Sequence, residues 1–376
     1  MSNILRFLSW IAVLALWGCA ATVYVDPSVC GGLFALIGLG FPIIAAAVII
    51  IGVVSLIIKP RLSLISAFGL LCCAGSLRDY CPINLTSPPP KGALKVISYN
   101  TMSFGNCELD DNGKDFRLVR YLITQQPDIA CLQEANVNSS EQFDRVTASM
   151  RRAGYHFEVA WCGGNRVAVM SKTPIHRSQL ICRSTGNGAA AFYLTPLRSK
   201  RDTLIVISAH LESMHLSPEE RGNYSELVHN PEDIHSIGGK RDFLRKIAHS
   251  GVERAHQVDT LTAFLDRHKG ERILLMGDFN DTPISYAHHQ VCTRLTDAYR
   301  ATACGIGRSF NRDAIFVRID HAFCSAHFKP YAFTIDQSVP FSDHYPMVGW
   351  LGGDASQRRT RTSTFVKKEN GRSPRP

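Results

Sequence analysis

Two patterns of apolar and polar positions divide the chain. From Ile4 to Leu77 the sequence is almost continuously apolar, broken only by the charges Arg6, Asp26, Lys59 and Arg61. Residues 4–25 are long enough to cross a bilayer, and residues 31–58 more than long enough, even with Pro42 inside them. Residues 62–77 are short for a span, so two or three transmembrane helices are expected over residues 1–80. Beyond residue 93 the apolar runs shorten to strand length and alternate with polar breaks. This spacing predicts strands over 94–99, 129–133, 166–170, 190–194, 204–209, 273–276, 318–323 and 347–351. Helices are predicted over 116–125 and from about 240 to 268. Ser87-Pro88-Pro89-Pro90 marks residues 81–93 as a stiff Pro-rich linker. Residues 354–376 are polar, basic and aperiodic, the pattern of a disordered tail. The stretch between, 94–353, has the size of one α/β domain built from two sheets covered by helices.

The apolar N-terminus also admits a cleaved signal peptide, with Arg6 ahead of the run and small residues around Gly18-Cys19-Ala20-Ala21. Cleavage there would still leave the second apolar segment, so a membrane location is expected either way. Basic residues flanking spans favour the cytoplasm. Arg6 and the Lys59-Pro60-Arg61 loop are therefore expected inside and the Asp26 loop outside. If residues 62–77 cross, the domain that follows is extracytoplasmic; if they do not, it is cytoplasmic.

The net charge of +9 changes meaning once it is located. Residues 355–376 carry +6 and residues 1–90 carry +2, which leaves +1 for 91–354. A dedicated reader of duplex DNA would more often present a basic face. Four of the twelve cysteines lie in or beside the apolar region, and the rest are scattered, with no pair or cluster at zinc spacing. Cys131 sits within a strand pattern and is read as packing.

Chemistry gathers where apolar runs end. The run 273–277 closes on Asp278-Phe279-Asn280, delivering a carboxylate and an amide to a strand edge. The two face the same side if extended geometry persists through Phe279. Other runs close on Asn100, Glu134, His210 and Asp320-His321, and Ser342-Asp343-His344 precedes a further run. Each alone is an ordinary turn residue or ion-pair partner. If the strands converge, one cleft holds several carboxylates, two amides and two histidines. Glu134 with Asn100 and Asp343 offers the oxygen ligation that Mg²⁺ or Mn²⁺ prefers, whereas soft ligands are absent. Histidines paired with carboxylates suit phosphate contact or proton transfer.

Six pieces carry a family resemblance: Tyr99-Asn100, Gln133-Glu134, Ala209-His210-Leu211, Gly277-Asp278-Phe279-Asn280, Ile319-Asp320 and Ser342-Asp343-His344. In order and spacing they resemble the endonuclease/exonuclease/phosphatase (DNase I-like) superfamily, in a membrane-anchored, bacterial-type form. The resemblance implies a four-layer αββα sandwich with its active site where the sheets open. It implies Glu134 and Asn100 as metal ligands, with Asp343 near the metal. It implies that Asp278 orients or activates the attacking water and that Asn280 helps to hold the phosphate. His210 and the Asp320–His344 pair would lie against the scissile phosphate. His321 stands where a bulky apolar residue is common, and strand alternation would turn it away from the cleft.

The function expected is a membrane-anchored, Mg²⁺- or Mn²⁺-dependent phosphohydrolase acting on a phosphodiester or phosphomonoester. Its substrate could be a lipid headgroup, a nucleic acid or a small phosphoester, and no obligate protein partner is expected. A nuclease acting on DNA or RNA is one alternative; a catalytically inactive membrane-tethered scaffold is another. The segment 213–249, with Glu219, Glu220, Arg221, His229, His235, Lys240 and Arg241, is expected to form a substrate-side insertion or a solvated helical face.

Overall fold

The computed structural model of the protein describes residues 2–195, 203–214, 237–311 and 317–353. Glu219, Glu220, Arg221, His229 and His235 of the expected insertion lie outside the described residues, as does the basic tail.

Twelve strands are present among the described residues. The first four are β1 (Leu94–Asn100), β2 (Ile129–Gln133), β3 (His156–Trp161) and β4 (Arg166–Ser171). The next four are β5 (Ile175–Arg183), β6 (Gly188–Leu194), β7 (Leu204–His210) and β8 (Arg272–Asp278). The last are β9 (Thr296–Asp297), β10 (Asp320–Cys324), β11 (Phe328–Ile335) and β12 (Met347–Gly353). They form two six-stranded sheets, in the orders β11-β12-β1-β2-β4-β3 and β5-β6-β7-β8-β10-β9. β1 runs parallel to β2, and β7 runs parallel to β8.

The sheets face each other across a shared apolar layer, with Val96, Ile129, Cys131 and Val169 from one side. Phe192, Val206, Leu274 and Met276 come from the other. Cys131 is fully buried there, and burial pushes its thiol pKa up. On the outer face of the first sheet, helices Arg117–Gln125 and Ser140–Arg152 bury Leu118, Leu122, Val146 and Met150. On the outer face of the second, helices Ile237–Arg267 and Tyr286–Cys292 bury Val258, Leu261, Phe264, Ala287 and Val291. Helix, sheet, sheet and helix make the four layers expected from sequence.

The apolar N-terminus folds into helices that pack on one another and touch the domain. Two helical stretches, Asn3–Tyr24 and Phe41–Ile58, are long and apolar enough to cross a membrane. The pair Pro60–Cys72 and Ala74–Tyr80, bent by 66°, passes the same test only as one broken span. Residues 31–58, read from sequence as one span, are divided. A short helix, Leu33–Leu39, ends at Gly40, and Pro42 then starts the next helix near its first position. Proline is tolerated there because that N–H would have no intrahelical partner. All twelve cysteines are free thiols.

Candidate active site

Register builds the site. His210, Asp278 and Asp320 are direct neighbours across β7, β8 and β10, so three polar side chains share one edge of the second sheet. Gly277 allows this spacing, since a Cβ there would lie 1.8 Å from the Ala209 carbonyl oxygen. On the first sheet Asn100 ends β1, and Glu134 follows β2 directly. The sheets are pinned just beneath by the Ser208 hydroxyl, which donates to the Leu132 carbonyl (3.2 Å) and accepts from Gln133 (3.3 Å).

Asn100 Nδ2 joins the two halves, donating to Asp278 Oδ2 at 3.0 Å and to Glu134 Oε1 at 3.2 Å. His210 Nε2 lies 3.6 Å from the same Asp278 oxygen and 3.9 Å from Glu134. His344 Nδ1 is bonded to Asp320 Oδ2 at 2.8 Å, and its Nε2 is 3.5 Å from Asp278 Oδ2. Asp278 is the centre of the constellation and is 1 % exposed. Asp343 is half-buried next to His344; its Oδ1 lies 3.5 Å from the Ser342 hydroxyl.

Burial acts on His344 most strongly and pulls its pKa down. The carboxylates of Asp320, Asp278 and Asp343 outweigh it and push the value up to about 10. Burial also raises the Asp320 carboxyl, and the His344 imidazolium beside it opposes that rise. We place the proton on His344, because that ring is flanked by Asp320 on one nitrogen and Asp278 on the other.

Glu134 and Asn280 both adopt left-handed backbone, with φ of 48° and 49°. Such conformations cost about 1–3 kcal/mol each and persist only when surroundings enforce them. Thr101 Oγ1 and the Ser103 N–H hold the Glu134 carbonyl, each at 3.0 Å. The Asn280 N–H caps Asp278 Oδ1 at 2.8 Å, while its side chain donates to the Leu211 carbonyl at 3.0 Å. The extended backbone on which same-side placement depended is therefore not kept at Asn280. Asn280 reaches the site by a turn and not by strand alternation, because Asp278 captures the N–H two residues on.

His321 turns away as alternation predicts. Its Nε2 meets the Asp281 carbonyl at 2.9 Å, its ring packs on Phe279 and His288, and burial holds its pKa well below the usual value. Three asparagines, unnoticed in the sequence, extend the site: Asn136 donates to Asn165, Asn165 to Asn187, both at 2.7 Å, and Asn187 lies 3.4 Å from His210 Nε2. Arg254, 3 % exposed, bonds Asp281 and the Glu212 carbonyl at 3.0 Å and so braces the loops after β7 and β8. Asn187 lies in a Gly-Asn-Gly stretch that reads as a turn, and Arg254 lies within a polar helical pattern, so neither stood out.

A family model for endonuclease/exonuclease/phosphatase proteins matches residues 97–344, about two thirds of the chain and every residue of this cluster. The chain belongs to the endonuclease/exonuclease/phosphatase family. Members of the family are phosphodiesterases, nucleases or phosphatases. Residues 2–80 match a second model, described only as a domain of unknown function. Among solved structures the chain is similar to an endonuclease/exonuclease/phosphatase from Beutenbergia cavernae DSM 12333. Identity there is 16 %, covering 70 % of this chain and 72 % of that one, with a TM-score of 0.48. It is also similar to the human Nocturnin catalytic domain with bound sulfate anion, at 18 % identity. That match covers 72 % of this chain and 96 % of that one, with a TM-score of 0.47. No curated protein matches the chain.

The donor set fits a hard divalent cation. Glu134 and Asp278 carboxylates converge on one neutral amide, with Asp320 and Asp343 close by and a single imidazolium to offset them. Such an excess of buried and half-buried negative charge calls for a cation, and the ligand atoms are oxygens.

Proposed function

We propose that this family member is a membrane-anchored, divalent-metal-dependent phosphohydrolase that cleaves a phosphodiester or phosphomonoester by in-line attack of water. The observation that carries the reading is the convergence of Asn100, Glu134, His210, Asp278, Asp320 and His344 through contacts of 2.8–3.9 Å.

Glu134, Asn100 and Asp343 would hold Mg²⁺ or Mn²⁺, which when bound supplies positive charge for a non-bridging phosphate oxygen. Asn100 would present its Oδ1 for this, giving up its bond from the Met102 N–H (3.2 Å). Asp278, fixed by Asn280 N–H and Asn100, accepts a hydrogen bond from the attacking water and orients it. Protonated His344 turns its Nε2 into the cleft and donates to the phosphate as negative charge builds on it, while Asp320 holds the ring. His210 lies at the same edge, its Nε2 3.4 Å from the Asn187 amide nitrogen, and would contact the phosphate side of the cleft. Asn280, whose side-chain amide donates to the Leu211 carbonyl at 3.0 Å, would help to hold the phosphate.

The contacts of the N-terminal helices support a three-crossing topology. Tyr24 packs on His289 with ring centroids 4.7 Å apart, and Gly32 lies against the Ala248 backbone, so the loop after the first helix touches the domain. The end of the last helix and the residues after it touch the domain too. Asn84 donates to the Arg300 and Ala303 carbonyls at 2.9 and 2.7 Å, and buried Arg318 donates to the Asp79 carbonyl at 2.6 Å. In this reading both segments lie on the domain's side, and the helices between leave and return. With Arg6, Lys59 and Arg61 on the opposite side, this reading favours a domain outside the cytoplasm.

Full-length protein in detergent should release p-nitrophenol from bis-p-nitrophenyl phosphate with added Mg²⁺, and EDTA should abolish release. Plasmid DNA and RNA in the same assay test the nuclease reading. No hydrolysis of any of them with Mg²⁺ or Mn²⁺ would favour the inactive scaffold.

A further inference from the structure

We infer that the cleft faces the bilayer that holds the anchor, and that its substrate is a phosphoester carried by a lipid in that same leaflet. The inference rests on the hydrolase reading above and adds the substrate's location and chemical class.

The direction comes from where the anchor docks. β1, β2, β7 and β8 all end at the site, so the sandwich has one functional end. Helix Ile237–Arg267 runs past that end. Arg254 bonds the Glu212 carbonyl and Asp281, which flank the ends of β7 and β8, so Arg254 marks their level. The helix begins 17 residues earlier, an overhang of about 25 Å at 1.5 Å per residue. The anchor's first loop packs on this overhang, and a Cβ on Gly32 would lie 2.1 Å from the Ala248 carbonyl oxygen.

A second contact sets the distance. Ile284, four residues after Asn280, is 2 % exposed and packs in the anchor's own apolar cluster with Val13, Leu16, Phe41 and Tyr80. Four residues reach at most ~14 Å when fully extended. Asn280 is therefore no farther than that from Ile284, which itself touches the helical anchor. At the ends of the spans, Tyr24, Val29, Ile83 and Leu85 are 71, 69, 82 and 96 % exposed. Such apolar and aromatic side chains fit the interfacial layer, whose thickness is roughly 5–7 Å on each side of the hydrocarbon. A lipid phosphate lies in that layer, within a headgroup's reach of the cleft. A nucleic acid would find a domain of almost no net charge to hold its phosphates there.

The test uses full-length protein in phosphatidylcholine vesicles and two esters with the same reacting group. Hexadecyl p-nitrophenyl phosphate inserts in the bilayer, and ethyl p-nitrophenyl phosphate stays in water. In both, water adds to phosphorus and the bond to p-nitrophenolate breaks, leaving the alkyl phosphate. The hexadecyl ester should be hydrolysed about tenfold or more faster in the protein's own vesicles than in separate ones, since sharing a surface raises effective concentration. Its rate should also fall when it is diluted with phosphatidylcholine at constant bulk concentration. Equal rates in shared and separate vesicles, or a higher kcat/KM for the ethyl ester, would overturn the inference. Hydrolysis of neither ester, with bis-p-nitrophenyl phosphate, DNA or RNA still cleaved, would overturn this inference alone; cleavage of none of them would remove the hydrolase reading and this inference with it.

Discussion

Two buried Asp–His pairs lie on opposite faces of the second sheet, and they differ in how their charge is balanced. In the cleft, His344 meets Asp320 at 2.8 Å, but Asp278, Glu134 and Asp343 add further negative charge nearby. Beneath the helices, His288 meets Asp297 at 2.9 Å with Cys292 3.6 Å away. There the second Asp297 oxygen accepts the Arg300 N–H at 2.9 Å, and the rings of His321 and Phe323 seal the His288 side. The second pair is close to neutral and its carboxylate is satisfied by the protein. The first carries an excess of negative charge, with contacts of 3.5–3.9 Å into which another group can fit. Similar residues thus make a structural pair in one place and a candidate reaction centre in the other.

The largest expected effect belongs to the cleft. Asp278→Asn and His344→Ala should each lower kcat by on the order of 10²–10⁴-fold, the range for a positioned acid/base or electrostatic stabiliser. Because both serve one transition state, the double variant should lose much less than the product of the single losses. Single-turnover rates measured beside melting temperatures decide this, and a destabilised but fully active Asp278→Asn would rule the role out.

The opposite outcome is expected for the sealed pair. Asp297→Asn or His288→Phe should cost stability, of the order of 3–5 kcal/mol for breaking a buried pair. Activity per folded molecule should hold. Denaturant unfolding with active-site-normalised kcat checks both, and a rate loss at unchanged stability would erase the distinction between the clusters.

Glu134→Gln keeps shape and removes charge, so the Mg²⁺ requirement should rise by at least the ~10–100-fold typical of losing an outer-shell partner. Excess Mg²⁺ should restore part of the rate. A variant that matches the parent at limiting Mg²⁺ would show that Glu134 holds no metal.

The smallest effect is the pH dependence of stability. Burial pulls the His288 pKa down, but the Cys292 sulfur and Asp297 outweigh it and push it up to about 10 from 6.5. A raised folded-state pKa stabilises fully below the unfolded value, and the stabilisation is lost as pH rises through the folded one. The melting temperature should therefore decline between about pH 6.5 and 10 more steeply in the parent than in His288→Phe. Asp297 has the opposite sign: burial raises its pKa, His288 more than offsets this, and the net value lies well below 3.8. Its contribution is present above that pH and lost in acid. A parent and variant with parallel profiles would mean that His288 is not the group titrating.

How much of this was legible beforehand follows from burial. The eight strands predicted from apolar runs are the eight interior strands of the two sheets. The four that were missed, β3, β5, β9 and β11, are the four edge strands. Residues 176–180 of β5 are all exposed, so that strand carries little of the apolar pattern that marks burial on both faces. The polar residues ending interior strands were visible for the same reason, since a carboxylate or imidazole stands out after an apolar run. Asn187 and Arg254 were not, because a turn asparagine and a helical arginine acquire meaning only from partners more than twenty residues away.

The sequence alone determined the interior strands and the set of chemically able side chains, which follow from local pattern, while the αββα layering was implied by the family resemblance. Only the tertiary structure decided that Asn280 arrives by a left-handed turn, that His321 belongs to the helix-side layer, and that Ile284 plugs the active-site loop into the anchor. Those outcomes depend on long-range register and on which buried groups find partners, and no local run of residues encodes either.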